Sequence, residues 1–519
     1  MGLLEREHYL DQLTKLLGAA ATGQGQTVLI SGEAGIGKTA LVEQFVQQSS
    51  RSAKRLWGAC EALFTPRPLG PLYDIALQVR GSLANLMNNS LDRSVLFSAF
   101  LEELQKSSLP TIMVFEDIHW ADEATLDFIK FLGRRILHLP VLFLITYRDT
   151  ELSPDHPWHS VIGDLPSKTT TRLKITPLSE RAVTWLALQA NRPADHLYAI
   201  TGGNPFFVTE VLASDVSGVP LMVRDAVFSR VTRLSGEARA LLELVSIVPC
   251  RVECRILEAT LGSVDAALEE CLASGMLALD ATIVAFRHEL ARLAVESTLS
   301  PLRQQSLHAR VLQALTGQHE DPAQFARLVH HALGAHNDGL VAHYAPLAAR
   351  QAAAQGAHRE AAAHYATALL CSTPLSLERM ADLLEGRAYE CYLTSQMEEA
   401  TVARQQALPI WRELGRIDQV GHTLRWLSRL SWFLGRFEAA EQYGIEAVQA
   451  LETRPPGSEL AMAYSNRAQL FMLASDTDEA VRWGERAIEL AESLGDCETL
   501  AHALNNVGSA LLDAQDRRG

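Results

Sequence analysis

The stretch GEAGIGKT, from Gly32 to Thr39, constrains the fold of this 519-residue chain more than any other. It fits the pattern G-x-x-x-x-G-K-[ST] at every fixed position, and it lies between a β-branched apolar segment, 27–31, and a helical pattern, 40–46. Glycines in such a loop let backbone N–H groups curl around phosphate oxygens, which also face the positive end of the next helix. The sequence therefore predicts a parallel α/β core with a phosphate-binding loop; the alternative is a glycine-rich turn that binds no ligand.

The predicted loop binds ATP or ADP together with Mg²⁺. The residues expected at the nucleotide are Gly32, Glu33, Ala34, Gly35, Ile36, Gly37, Lys38 and Thr39. Among these, we expect Lys38 to reach the β- and γ-phosphates and the Thr39 hydroxyl to bind Mg²⁺.

Two carboxylates follow a second buried strand pattern. Residues 111–115 read TIMVF, and Glu116 and Asp117 come directly after them. Strands of a parallel sheet present their functional groups at the carboxyl edge, where the phosphate-binding loop also lies. We therefore expect Glu116 to bind Mg²⁺ and Asp117 to polarise the attacking water, with the opposite assignment left open.

A third apolar strand pattern, 141–147, ends in Arg148. Because a guanidinium suits bidentate phosphate contact, we predict that Arg148 senses the γ-phosphate; the alternative is a surface salt bridge. Asp122 is expected to cap a helix over 123–135. Other patterns predict a helix over 3–22, a strand over 54–58 and a loop rich in Pro and Gly over 64–71.

Taken together, GEAGIGKT, FEDIHWADEATLDFI and the strand ending TYRD resemble the ATPase domain of the large ATP-binding LuxR-type transcriptional regulators. These regulators belong to the STAND class of signalling NTPases, which have an AAA-like fold. The resemblance implies that Gly203, Asn204 and Pro205 lie at the nucleotide. It also implies that His288, in FRHELAR, contacts a β-phosphate oxygen when ADP holds a closed resting state. Without the resemblance, these residues fit a turn between two helices and a surface histidine on a helix.

The C-terminal part of the chain carries an internal repeat. Pairs of alanines seven residues apart recur at intervals of 39, 40 and 40 residues: Ala361 and Ala368, Ala400 and Ala407, Ala440 and Ala447, Ala480 and Ala487. A small or turn-forming residue stands five positions before each pair: Gly356, Ser395, Gly435 and Ser475. This period predicts a solenoid of helix pairs similar to tetratricopeptide repeats. Four aromatic residues on the first helices are expected to pack between repeats, with a ligand-binding surface as the alternative: Trp426, Trp432, Tyr464 and Phe471.

Composition narrows the choice of partners. The formal net charge of −15 argues against DNA binding by this chain alone, because phosphate contacts need a basic surface. The seven cysteines are scattered, and we expect buried thiols in a reducing cytosol, with a zinc site at Cys250 and Cys254 as the alternative. No apolar run is long enough to span a membrane and no secretory signal is present, which predicts a cytoplasmic protein.

These patterns predict an α/β P-loop NTPase core followed by an all-α, winged-helix and α-solenoid region. The predicted domains are 1–165 (AAA-like ATPase core), 166–220 (small helical domain with the GNP motif), 221–316 (winged helix, implied by the resemblance to act as a hinge) and 317–519 (TPR-like repeats). The large LuxR-type regulators end in a DNA-reading helix-turn-helix that this sequence lacks. The sequence is therefore either a truncated piece of such a regulator or a protein without its own output domain.

The expected function is an ATP-binding signalling switch of a transcriptional regulator with slow ATP hydrolysis. An inducer or protein on the repeats would gate the nucleotide state, and the ATP state would self-associate. The alternatives are a work-performing AAA-type ATPase and a scaffold with a vestigial nucleotide site.

Overall fold

The computed structural model describes residues 3–79, 83, 86–87, 93–107, 109–192, 194, 196–213, 227–228, 230–249, 251–316 and 321–514. The chain divides into two compact units, Met1–Glu360 and Ala361–Gly519. Cys250 and the final residues from Gln515 lie outside the described part, so the alternative zinc pair stays a prediction.

A five-stranded parallel sheet forms the centre of the first unit, in the order β2-β3-β4-β1-β5. The strands are β1 (Gln26–Ser31), β2 (Lys54–Ala59), β3 (Thr111–Glu116), β4 (Val141–Tyr147) and β5 (Thr170–Lys174). Every residue of β3 and β4 is buried, as expected of central parallel strands covered on both faces. The sheet confirms the predicted α/β fold class.

The boundary predicted at residue 165 is wrong, because the sheet continues past it. Strand β5 pairs in parallel with β1, from Thr27 opposite Thr170 to Ser31 opposite Lys174. Its sequence, TTRLK, is mostly polar because it forms an edge of the sheet, and that polarity hides it from a search for apolar runs.

Helices and short 3₁₀ turns surround this sheet. The helices are Glu7–Ala21, Lys38–Gln48, Gly70–Val79, Arg93–Gln105, Glu123–Gly133 and Trp158–Asp164. The 3₁₀ turns are Ile118–Trp120, Ile136–His138 and Asp149–Glu151. The Asp122 side chain accepts a hydrogen bond from the Thr125 N–H at 2.9 Å, so the predicted helix cap is confirmed. The first helix begins at Glu7 rather than residue 3, and the helix at Gly70 begins inside the predicted loop.

The rest of the first unit is largely helical. The helices that follow β5 among the described residues up to 213 are Glu180–Gln189, Leu197–Thr201 and Pro205–Ala213. A three-stranded antiparallel sheet, in the order β6-β8-β7, comes next, with strands Val252–Glu253, Leu277–Asp280 and Ile283–Phe286 as β6, β7 and β8. The helices around and after it are Gly236–Ser246, Cys254–Leu261, Asp265–Ala273, Glu289–Glu296, Pro301–Thr316, Phe325–Gly334 and Asp338–Ala354, with a 3₁₀ turn at Pro322–Gln324. The winged helix expected over 221–316 stays a prediction.

The second unit consists of successive antiparallel helices. The helices are His358–Leu369, which begins in the first unit, Leu377–Leu393, Met397–Glu413, Ile417–Phe433, Phe437–Leu451, Ser458–Leu473, Thr477–Leu494 and Cys497–Asp513. All eight repeated alanines are buried, at 1% exposure or less, which confirms the predicted role of small side chains in close helix packing. The four predicted turn residues all have positive φ, between 58° and 75°. Of the four aromatics, Tyr464 is buried, whereas Trp426, Trp432 and Phe471 are half-buried.

None of the helices in the described part of the chain combines the length and the apolar composition that crossing a bilayer requires.

Candidate nucleotide-binding site

The predicted phosphate-binding loop connects β1 to the helix that begins at Lys38. Gly32, Gly35 and Gly37 all have positive φ, at 153°, 77° and 97°, and the last two lie in a backbone region that favours glycine. The Lys38 ammonium donates to the carbonyl oxygens of Gly32 and Glu33, at 2.7 and 2.9 Å. Burial lowers the pKa of Lys38 to about 8, although the nearby Asp117 carboxylate acts in the opposite direction.

The next three carbonyls of the loop are bonded to side chains or backbone from distant parts of the chain. The Asn204 amide donates to the Ala34 carbonyl at 2.9 Å, and the Phe206 N–H donates to the Gly35 carbonyl at 3.2 Å. The Arg6 guanidinium donates to the Ile36 carbonyl at 3.4 Å. In a trans peptide the N–H points opposite to the C=O. The N–H groups of Gly35, Ile36 and Gly37 share peptides with these carbonyls and therefore point away from these partners. The Ile36 N–H donates to the Glu33 carbonyl at 3.4 Å, which leaves those of Gly35 and Gly37 for the predicted phosphate.

Gly35 is the point at which the loop meets two later segments. A Cβ at this position would lie 2.8 Å from Phe206 Cβ, 3.0 Å from Asn204 Oδ1 and 3.2 Å from Leu290 Cδ1. Phe206 belongs to the TGGNPFF stretch, and Leu290 belongs to the FRHELAR stretch. The phosphate-binding loop thus contacts both segments that the family resemblance placed at the nucleotide.

Glu116 and Thr39 form the oxygen-rich part of the site. The Thr39 hydroxyl donates to Glu116 Oε1 at 2.7 Å, and the Trp57 indole N–H donates to Glu116 Oε2 at 2.9 Å. Arg251 lies 3.7 Å from the same Oε2. A hydroxyl and a carboxylate side by side are ligands that Mg²⁺ accepts, so these residues fit the predicted metal.

Asp117 lies beside Glu116 in a left-handed backbone conformation, with φ of 54°. Its N–H donates to the Thr146 hydroxyl at 3.1 Å, which holds the turn against the end of β4. Burial, and then the neighbouring Glu116 carboxylate, raise the pKa of Asp117 to about 7, although Arg148 and Lys38 lower it. A carboxylate with a pKa near neutrality is suited to accept a proton from water.

Arg148 is buried, at 5% exposure, so the alternative of a surface residue is wrong. Its guanidinium donates to Glu151 Oε1 at 2.6 Å, lies 3.9 Å from Asp117 Oδ1, and is 4.9 Å from the centre of the Trp120 ring. It does form a salt bridge, but at the same sheet edge as Asp117. Its contact with a γ-phosphate stays a prediction.

The GNP motif and His288 belong to the two segments that meet at Gly35. Asn204 is buried and Pro205 is the first residue of the helix Pro205–Ala213. His288 is the half-buried residue before the helix Glu289–Glu296 rather than a surface residue on it, and its ring lies 4.8 Å from the Phe206 ring. Burial, and then the Arg287 charge, lower the pKa of His288 to about 4. The imidazole is therefore neutral at pH 7 and has one N–H to donate.

Sequence reasoning missed four residues of this site: Arg6, Trp57, Thr146 and Arg251. Thr146 could have been found from its place at the end of β4, two residues before Arg148. Trp57 contacts Glu116 because β2 and β3 are adjacent and in register, with Ala59 opposite Glu116. That register, and the approach of Arg6 and Arg251 from distant segments, leave no local signal in the sequence.

Comparison with known proteins assigns the first part of the chain. Residues 2–144 match the AAA ATPase domain family, so this part of the chain is an AAA-type ATPase domain. The chain is 23% identical to an uncharacterized protein of Rhizobium meliloti (strain 1021), in an alignment that covers 60% of the chain. The chain spans 37% of the length of that relative.

Two solved structures of low sequence identity also match parts of the chain. A Signal Transduction ATPase with Numerous Domains (STAND) with a tetratricopeptide repeat sensor, from Pyrococcus horikoshii, is 14% identical, with coverage of 96% of this chain and 86% of that one and a TM-score of 0.44. Cdc6p from Pyrobaculum aerophilum is 16% identical, with coverage of 58% of this chain and 96% of that one and a TM-score of 0.33. Because both TM-scores are below 0.5, the functional assignment rests on the AAA match and on the geometry of the loop.

Proposed function

We propose that this chain is an ATP-binding signalling switch of the STAND type, in which the nucleotide bound to the AAA domain controls the later domains. The contact at Gly35 supports the proposal most directly. At this one residue the phosphate-binding loop packs against Asn204, Phe206 and Leu290. A change at the phosphates would therefore alter the packing of both segments.

The chemistry assigned to the site is ATP hydrolysis. Lys38 and the loop N–H groups would hold the phosphates, and Thr39 and Glu116 would hold Mg²⁺, which neutralises phosphate charge when it is bound. Asp117, with its pKa near 7, would accept a proton from the attacking water. Arg148 would contact the γ-phosphate when it exchanges Glu151 for that anion.

The proposed resting state holds ADP. His288 is neutral and could donate its N–H to a β-phosphate oxygen while Phe206, against its ring, stays bonded to Gly35. An inducer or partner protein on the repeats would favour an open ATP state that self-associates, provided that it binds the open state more tightly. Hydrolysis would be slow because it resets a switch. The resemblance of its motifs to those of LuxR-type regulators supports a role for this switch in transcriptional control.

The first test identifies the nucleotide that copurifies with the protein. The full chain is purified and precipitated with acid, and the released nucleotide is identified and quantified by chromatography. We expect about one ADP per chain. The Lys38→Ala variant should retain no ADP, because the loop loses its only charged phosphate donor. The control is Lys15→Ala, which removes an exposed lysine of the first helix and should retain the wild-type amount of ADP.

Other outcomes would favour the rival functions. An empty site with rapid ATP turnover would indicate a work-performing ATPase. An empty site with neither binding nor turnover would indicate a scaffold with a vestigial site. Undiminished ATP affinity in a folded Lys38→Ala variant would refute the site assignment itself.

A further inference from the structure

Three arginines surround one indole ring in the second compact unit. Arg425, Trp426 and Arg429 lie on the helix Ile417–Phe433, and Arg404 lies on the preceding helix, Met397–Glu413. The guanidinium carbons of Arg404, Arg425 and Arg429 are 5.2, 5.1 and 5.9 Å from the centre of the Trp426 ring. The Tyr392 ring lies 4.9 Å from the same indole. We call these five residues the Trp426 cluster.

The three guanidinium groups differ in their partners. Arg404 is buried, at 2% exposure, and pairs with the Glu385 carboxylate. Arg429 donates from Nε and Nη2 to the neutral Tyr392 hydroxyl, at 3.2 and 2.9 Å. Arg425 has neither a hydrogen-bond nor an ion-pair partner among the described residues, although its Nε is shielded from solvent. Within the described part of the chain, no carboxylate therefore contacts the guanidinium of Arg425 or of Arg429, one helical turn further on.

The nearby Glu459 carboxylate does not contact the guanidinium of Arg425 or Arg429. Both of its oxygens lie within 3.2 Å of the His422 ring nitrogen Nδ1, whose N–H can donate to them. Burial lowers the pKa of Arg425, while the charge of Glu459 acts in the opposite direction without direct contact. A shielded Nε–H group without an acceptor is unfavourable, and an oxyanion from outside the chain would satisfy it.

A second group of arginines around a tryptophan, in the same unit, shows that arginines stacked on an indole ring can each have a carboxylate partner. Arg467, Arg482 and Arg486 lie within 5.8 Å of the Trp483 ring centre. Each has its own carboxylate: Glu441 for Arg467, Glu479 for Arg482 and Glu452 for Arg486. Among the described residues, two of the three arginines of the Trp426 cluster thus have no carboxylate partner, whereas each arginine at Trp483 has one.

We propose that the Trp426 cluster binds a small organic carboxylate, whose oxyanion pairs with Arg425 and Arg429 while its carbon skeleton lies against Trp426. The fork of a guanidinium matches a carboxylate, and an indole face accepts a flat or apolar skeleton. As the input of a nucleotide switch, this site rests on the proposed function. As a binding site, it rests on the cluster alone.

The test uses the full chain and three probes: succinate, citrate and benzoate. Their binding is measured by isothermal titration calorimetry against sodium chloride of matched ionic strength. We expect at least one probe to bind and Arg425→Gln or Arg429→Gln to weaken it about 10-fold or more, as expected for loss of a charge-assisted hydrogen bond. Arg482→Gln, at the other tryptophan, is the matched control and should leave the affinity unchanged.

Two further measurements keep the result interpretable. Arg425→Lys keeps the positive charge but loses the fork, so it should bind the probe more weakly than wild type even if Arg425→Gln fails to fold. Lys38→Ala should bind the probe as wild type does, which separates a failure of this site from a failure of the nucleotide switch. Absence of binding for all three probes, or equal affinity in the wild type and the folded Arg425 and Arg429 variants, would overturn the proposal.

Discussion

Trp57→Phe should weaken the contribution of Mg²⁺ to ATP binding while it leaves metal-free binding nearly intact. The indole N–H donates to Glu116 Oε2 at 2.9 Å, and the Thr39 hydroxyl donates to the other oxygen of the same carboxylate at 2.7 Å. The two donors fix the orientation of the carboxylate from both sides. Phenylalanine keeps an aromatic ring in the place of Trp57 but cannot donate.

The expected magnitude follows from the kind of bond that is lost. A hydrogen bond to a buried charged group contributes about 1.5–3 kcal/mol, which corresponds to roughly 10- to 150-fold in an equilibrium constant. Groups that orient a metal ligand typically change metal affinity by about 10- to 100-fold when they are removed. We therefore expect the ratio of the ATP dissociation constants in EDTA and in Mg²⁺ to fall by at least about 10-fold in Trp57→Phe.

The assay is calorimetric titration of nucleotide-free protein with ATP, in EDTA and in saturating Mg²⁺. Trp185→Phe, which changes a tryptophan that is 40% exposed on the helix Glu180–Gln189, controls for the substitution itself. Circular dichroism and the melting temperature show whether the smaller ring has destabilised the fold. An unchanged Mg²⁺ effect in a folded Trp57→Phe protein would refute the idea that Glu116 binds the metal in the orientation seen here.

Three further predictions concern the pH dependence, the loop and the repeats. Burial, and then the Asp122 carboxyl, raise the pKa of Glu360 to about 8 in the folded protein. The free energy of unfolding should therefore fall as the pH rises from about 4.5 to about 8, by roughly 2–5 kcal/mol, and Glu360→Gln should remove this fall in urea titrations at a series of pH values. Asn204→Ala leaves the Ala34 carbonyl without its donor and should weaken ADP binding about 5- to 10-fold by calorimetry; equal affinity would mean that this bond does not shape the loop. Ser395→Gly should raise the free energy of unfolding in urea titrations by about 1 kcal/mol, because Ser395 has φ of 62°. Gly435→Ala, at the equivalent turn, should lower the free energy of unfolding by a similar amount. A change of the same sign in both variants would contradict the argument that these turns favour glycine.

The parts of the fold that follow a short-range rule could be predicted from the sequence. The phosphate-binding loop needs glycines at fixed spacing, and buried parallel strands are continuous apolar runs, so β1, β3 and β4 were recognisable. The repeats were recognisable because alanines recur where paired helices approach closely. Strand β5 was missed because an edge strand can be polar, and its membership of the sheet depends on pairing with β1.

The residues of the candidate site also divide into those that the sequence predicts and those that depend on contacts between distant segments. Thr39, Glu116 and Asp117 come together because a parallel sheet places the ends of its strands at one edge, and the sequence contains enough to predict that meeting. The donor from Trp57 depends on the register of β2 against β3, and Arg251 comes from a different part of the first unit. The places of Asn204 and His288 were predicted from the family resemblance, because their local sequence fits ordinary turns and helices equally well.

The carbonyl partners of the phosphate-binding loop have a consequence for the newly made protein. The strand, loop and helix of residues 26–48 leave the ribosome early, whereas Asn204, which bonds the Ala34 carbonyl, is 170 residues further along the chain. At about 5–20 residues per second, translation takes roughly 10–30 s to supply that donor. A nascent chain would therefore have a phosphate-binding loop without its Asn204 hydrogen bond while ATP in the cell already surrounds it. The segment that contains Asn204 is also one that the nucleotide is proposed to control. We therefore expect nucleotide binding to begin only after this segment has been synthesised.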